Sequence, residues 1–222
     1  MTRTFYTGLL LTCTILFACE GSLNIIDKPV TFDETRKQLS LEYLKVRHGI
    51  ETGSVEIDPK IIVVHWTVIP TLEKTFETFN PSRLSGTRTG IKDASSLNVS
   101  AHFVIDRDGT IYQLLPETTF ARHVIGLNHC AIGIENVANG TDLPLTRQQF
   151  KANLRLINYL SGKYNIEYLI GHDQYQQFIG HPLWKETDPN YLTEKNDVGP
   201  EFIRKLHQSI DHELKPAPGL EK

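Results

Sequence analysis

The run Ile61-Ile62-Val63-Val64-His65-Trp66-Thr67 limits what this chain can fold into more than any other stretch. Four β-branched residues in succession leave no position for water, which is the signature of a strand buried on both faces of a sheet. A histidine then ends the run, with Trp66, Thr67 and Pro70 behind it. An imidazole at the exit of a buried strand sits where active-site loops begin and where a rigid scaffold can hold a ligand. His65 is therefore a candidate metal ligand or catalytic group, against the alternative of a core histidine with its hydrogen bonds satisfied.

Other elements can be placed around it. Ala101–Asp106 and Thr110–Leu115 flank Arg107-Asp108-Gly109; an Asp-Gly turn between two apolar runs predicts a hairpin. Cys130–Val137 reads as a second buried strand, interrupted by Gly133 and carrying Glu135 near its end, and Glu167–Gly171 as a last short strand ending at His172. A helix opens at Asp33-Glu34 and runs through Val46, Thr71–Phe79 gives one or two turns, and a longer helix runs from Thr146 to about Tyr164 with Phe150, Leu154, Ile157 and Leu160 on one face. A closing helix follows Asp197 and carries His207 and His212 near its end, while Arg83–Val99, polar and without period, reads as a long surface loop beside the site. Strands that come partly in hairpins, mixed with helices, predict a mixed α/β fold with a central mixed β-sheet flanked by helices. With 222 residues, 40% of them hydrophobic, the chain can fill one proper core, assigned to residues 32–222.

The first residues read as a targeting segment. Arg3 supplies a positive start and Gly8–Phe17 an apolar run too short to span a bilayer comfortably, so residues 1–18 are expected to be a signal peptide. Leu16-Phe17-Ala18-Cys19 resembles a bacterial lipobox, in which the cysteine receives lipid and becomes the mature N-terminus; a signal peptide cleaved nearby, or an uncleaved anchor, is the alternative. Acylation with more than one chain gives stable anchoring. Residues 19–31 would then be a tether, and the protein extracytoplasmic, lipid-anchored to a bacterial membrane on its periplasmic side or at the cell surface. The formal charge of −3, with dispersed Lys and Arg, gives no footprint for nucleic acid. Two of the three cysteines fall within the first twenty residues, so no disulfide framework can be drawn. Nothing in the sequence fixes the oligomeric state, and a monomer is the default expectation.

Three polar residues thus sit at strand ends, His65, Glu135 and His172, with Asp197 a fourth just before the closing helix. Two neutral imidazoles and a carboxylate make a three-ligand zinc set with a fourth position open for water, the catalytic arrangement. The spacing is no local zinc motif, and a chain with nine histidines offers many such triplets.

Taken in order, Ile62–Thr67, Val99–Gly109, Ala131–Glu135, Ile170–His172 and Lys195–Phe202 resemble the successive motifs of zinc-dependent N-acetylmuramoyl-L-alanine amidases, the amidases related to peptidoglycan recognition proteins, over about residues 55–212. The resemblance implies a mixed sheet with helices on both sides and a metal in a surface groove. It puts the zinc ligands on His65, His172 and Asp197, the cation near the scissile carbonyl on Lys195, and the acidic residue that acts on water on Glu135. Arg122-His123-Val124 and Gly126–His129 resemble the substrate-groove segment, which places His123 and Asn128 against the substrate. The chain departs from the pattern in a longer segment between His172 and Asp197, where Thr187-Asp188-Pro189 offers Asp188 as a rival ligand; Asp197 keeps Lys195 two residues before it and Gly199-Pro200 after. No tyrosine lies between His65 and Tyr112, so a catalytic tyrosine found in some relatives is missing and its work falls to Glu135. His102 is expected to be a buried supporting or core residue and Cys130 a small hydrophobe. The activity implied is zinc-dependent hydrolysis of the amide bond between N-acetylmuramic acid and L-alanine in peptidoglycan or muropeptides. The alternative is a non-catalytic peptidoglycan-binding lipoprotein that keeps only the groove.

Overall fold

The computed structural model describes residues 23–85, 91 and 93–220; the expected signal peptide and the lipobox at Cys19 lie outside the described residues. Six strands form one sheet: β1 (Ile25–Asp27), β2 (Ile61–Trp66), β3 (Phe103–Ile105), β4 (Ile111–Gln113), β5 (Ala131–Asn136) and β6 (Tyr168–Gly171), in the order β1-β4-β3-β5-β2-β6. Only β3 and β4, the hairpin read from Asp108-Gly109, run antiparallel; β2 lies parallel between β5 and β6. Ile61 to Val64 are fully buried, because both faces of β2 are covered.

The pleat of β2 divides its side chains. Ile62 and Val64 face a core shared with Leu156, Ile157 and Leu160 of α3 (Arg147–Lys163) and with Ile203 and Leu206 of α4 (Pro200–His207). Ile61 and Val63 face the opposite side, where Val124, Leu127, Tyr175 and Phe178 pack. Side chains alternate with period two, so His65 and, on β5, Gly133 and Glu135 belong to this second side.

On the second side lie α1 (Glu34–His48) and α2 (Leu72–Phe79). Asp33 caps α1 by accepting the Arg36 backbone N–H at 2.8 Å, and Gly49 ends it with a φ of 65°. Thr146 and Gln149 form a reciprocal capping box at the start of α3. The buried stripe of α3 is Gln149, Ala152, Asn153, Leu156, Ile157 and Leu160, whereas the expected Phe150 and Leu154 sit at its margin, Phe150 edge-on to Phe202. A reading of apolar spacing alone missed the two buried amides: Gln149 Nε2 donates to the Ile105 and Val137 carbonyls, and Asn153 Nδ2 to the Asn136 side chain at 2.8 Å.

Two further expectations are revised. Residues 25–27, inside the stretch expected to be a tether, form edge strand β1, with Ile25 opposite Ile111. The closing helix ends at His207, so His212 lies beyond it, and His207 meets the Leu169 carbonyl through Nε2 at 2.9 Å. The described ends of the expected surface loop meet in a bridge between Arg83 and Leu97, and Leu97 is buried.

Candidate metal centre

The register of the parallel strands assembles the site. His65 is paired with Glu135 on β5, while Val64 is paired with Gly171 on β6, so His172, the next residue, emerges beside His65. His172 opens a 3₁₀ turn, His172–Phe178, directly after β6. The carboxyl ends of parallel strands are where open α/β sheets bind ligands. Asp197 lies on the segment leading into α4, whose start follows at Pro200.

The ligand atoms of His65, His172 and Asp197 all lie within 4.8 Å of one another, and all three residues are buried. His65 Nδ1 is 2.9 Å from His172 Nδ1; Asp197 Oδ2 lies 3.0 Å from His172 Nδ1 and 3.3 Å from His65 Nδ1. The tautomer of His65 can be traced. His123 Nε2 is 3.1 Å from the Ala131 carbonyl, which only accepts, so that nitrogen carries the proton and His123 Nδ1 is an acceptor. His65 Nε2, 3.1 Å from His123 Nδ1, then donates, and the His65 Nδ1 lone pair points at His172 and Asp197. A lone pair, a second imidazole nitrogen and a carboxylate oxygen pressed this close repel unless a proton or a cation lies among them. Separations near 3 Å are also the edges of a zinc tetrahedron, about 3.3 Å for ligands at about 2.0 Å. The donor set and its spacing fit a divalent metal with at least one open position.

Electrostatics agree with that fit. Burial, with the nearby His65, lowers the His172 pKa to about 4, which keeps the ring neutral at pH 7. Burial works against ionisation of Asp197, yet the close approach of its carboxylate to the imidazoles of His172 and His65 holds the carboxyl well below the usual carboxylate range. Neutral imidazoles and an ionised carboxylate are the forms that bind metal.

A groove of about 620 Å³ opens over these ligands, and Glu135 and Lys195 share its lining. Glu135 is buried and Lys195 exposed at the edge. His123 lines the groove as well, with both ring nitrogens turned to protein partners, so what it does here is orient His65. Gly133 makes room for it: a Cβ there would lie 2.8 Å from the His123 ring. Asn128 is buried, and its Oδ1 accepts the backbone N–H groups of His123 and Val124 at 2.9 and 2.8 Å, which fixes the turn that carries His123. His102 is a satisfied core histidine, accepting from Gly133 N and meeting the Thr119 carbonyl at 2.8 Å. Cys130 is buried, and its thiol is pushed up to about 12 by that burial. A residue missed in the sequence is Asn136, whose Nδ2 donates to the His65 carbonyl at 3.1 Å while Asn153 holds its oxygen. An asparagine ending an apolar strand was the available signal.

Asp188 lies elsewhere. Its carboxylate is 3.8 Å from Arg47 at the end of α1 and accepts the Asn190 N–H. The long segment between His172 and Asp197 is built onto α1 and the His123 turn: Arg47 pairs with Glu186 at 2.7 Å, Thr187 donates to the Val46 carbonyl, Arg47 stacks on Tyr191, and Trp184 covers Gly126 so closely that a Cβ there would lie 2.5 Å from the indole.

Residues 56–197 match the family model described as N-acetylmuramoyl-L-alanine amidase, well over half of the chain. The chain belongs to this family. His65, His172 and Asp197 fall within the matched residues, and the match ends on Asp197. Solved structures resemble the chain in fold. The N-acetylmuramoyl-L-alanine amidase LysC from Clostridium intestinale URNW is 23% identical, with 83% of this chain and 95% of that chain covered and a TM-score of 0.51. AmiD from E. coli, solved as a complex with the substrate anhydro-N-acetylmuramic acid-L-Ala-D-gamma-Glu-L-Lys, is 19% identical over 72% of this chain and 60% of that chain, with a TM-score of 0.50. The bumblebee protein PGRP-SA is 17% identical over 88% and 99%, also at 0.50. No curated protein matches the chain.

Proposed function

We propose that this chain is a zinc-dependent hydrolase that cuts the amide bond between N-acetylmuramic acid and L-alanine in peptidoglycan or muropeptides. The observation that carries the reading is the convergence of His65, His172 and Asp197 in a groove that also holds a carboxylate and an ammonium group. A complete ligand triangle also favours an enzyme over a module that only binds peptidoglycan. His65, His172 and Asp197 would hold the metal. When bound, zinc supplies Lewis-acid polarisation of the scissile carbonyl and lowers the pKa of a water toward ~7. Glu135, opposite His65 on the neighbouring strand, takes the proton of the attacking water and delivers it to the departing alanine amine, so one carboxyl group serves both steps. Lys195 stands at the groove edge to stabilise the oxyanion, a contribution that removal typically lowers by about 10²–10³-fold in rate.

In this reading the enzyme lies outside the cytoplasm, lipid-anchored through Cys19, on the support of Leu16-Phe17-Ala18-Cys19; a monomer is its default state. The test measures zinc content and muropeptide hydrolysis together, for wild type, Asp197→Ala and Asp188→Ala. Wild type is expected to hold about one zinc per chain and to release stem peptides with a free L-alanine amine; chelation removes both, and so does Asp197→Ala. Asp188→Ala keeps both. Peptidoglycan binding without zinc or cleavage would overturn the proposal.

A further inference from the structure

Val68, three residues after His65, has a φ of 59°, and it is the only non-glycine residue with positive φ among the described residues. That conformation brings the Cβ of an L-residue against its own carbonyl, and for a β-branched side chain it is a true outlier. The surrounding backbone holds it there: Thr67 N donates to the Asn136 carbonyl and Val68 N to the Ala138 carbonyl, both at 2.9 Å, while the Thr67 hydroxyl bonds to the Ile69 carbonyl at 2.6 Å. Packing within the fold does not explain the side chain, since Val68 is 65% exposed, the most exposed large hydrophobic residue among the described residues. It lines the same groove as the metal ligands. Trp66, Ile69, Ile91 and Val99 line that groove too, so the isopropyl group shares in its apolar lining.

Strain concentrated at a groove, on a side chain that the fold itself leaves bare, is the pattern of a ligand contact. We infer that Val68 is a substrate-specificity residue: its strained backbone presents an apolar surface against which a methyl-bearing part of the muramoyl-peptide packs. The inference rests on the amidase reading above and adds to it a residue outside the family's ligand and acid–base set.

Three variants separate contact from strain. Val68→Gly relieves the left-handed backbone and removes the side chain; Val68→Asn keeps a conformation that asparagine tolerates and makes the surface polar; Val68→Ile keeps the contact. The substrate is N-acetylmuramoyl-pentapeptide. The expected result is a KM raised at least fivefold in Val68→Gly and Val68→Asn with kcat within twofold of wild type, near-wild-type kinetics in Val68→Ile, and an unchanged or higher Tm in Val68→Gly. Wild-type KM in both Val68→Gly and Val68→Asn overturns the inference. So does a fall in kcat at constant KM, which would mean that the residue acts through the His65 backbone, and so does a lower Tm in Val68→Gly, which would mean no strain is held there. Calorimetric binding of the same ligand to chelated protein separates the two levels. A wild type that neither binds nor cleaves removes the amidase reading and this inference together, whereas an active wild type matched by its variants removes only the inference.

Discussion

Two imidazoles divide the work at the residue scale, one facing the metal position and one turning both its ring nitrogens to protein. His123 holds the tautomer of His65 and touches no other ligand atom, so His123→Ala is expected to leave the fold intact and to weaken zinc binding by about 10–100-fold, the usual cost of losing such a partner. Competition with a chromophoric chelator measures it, and wild-type affinity would show that His65 orients itself. Away from the metal, His48 and His102 are buried and His129 is half-buried. Their pKa values are lowered chiefly by burial, to about 3 for His48 and about 4 for His102 and His129. The unfolded chain therefore binds these protons near pH 6.5 while the folded chain refuses them. Their contribution to stability is complete above pH ~6.5 and is lost as pH falls toward 4, with His102 alone accounting for about 3 kcal/mol. Urea unfolding across that window should show the decline, and a flat profile would mean these rings are accessible to protons in the native state.

At the scale of the element, β5 carries the site by what it lacks as much as by what it bears. Gly133 leaves the space that His123 fills, two residues before Glu135 and directly across from Val63. Gly133→Ala should cost about 1–3 kcal/mol through overpacking and, by displacing the His123 ring, should lower zinc affinity more than it lowers stability. Equal losses in the two measurements would show that His123 yields without consequence. The sequence displayed β5 and its glycine but gave that glycine no purpose, because the neighbour it accommodates comes from a turn that no strand pattern predicts. The stripe on α3 was misplaced for a related reason. Gln149 and Asn153 are polar by residue type but buried by role, since Gln149 satisfies the Ile105 and Val137 carbonyls and Asn153 the side-chain oxygen of Asn136, and a rule that scores apolar positions passes over them.

Across the whole molecule, the run Ile61–Val64 was enough to place a buried central strand, and the hairpin and His65, Glu135 and His172 at strand ends followed from pattern. Strand order, which makes His65 the neighbour of both Glu135 and His172, is a matter of long-range pairing and was not readable locally. Nor was β1, three residues without any period that hold an edge by hydrogen bonds to β4. A chain beginning at Val30 should accordingly be less stable than one beginning at Leu23 by roughly 1–3 kcal/mol, the scale of uncovering one apolar side chain, and should aggregate more readily through the bared edge of β4; equal midpoints in denaturant would make β1 an ornament of the sheet. One bond described in the backbone has a wider consequence. The Asp173 N–H donates to the Asp197 carbonyl at 2.8 Å, so the chain departs from the second ligand and comes back to the third at a single knot. Lengthening a loop whose ends already meet costs little, about 0.6 kcal/mol per doubling. Beyond the core residues Tyr175 and Phe178, the excursion can therefore change length at little cost, rebuilding one bank of the groove while the three ligands keep their places.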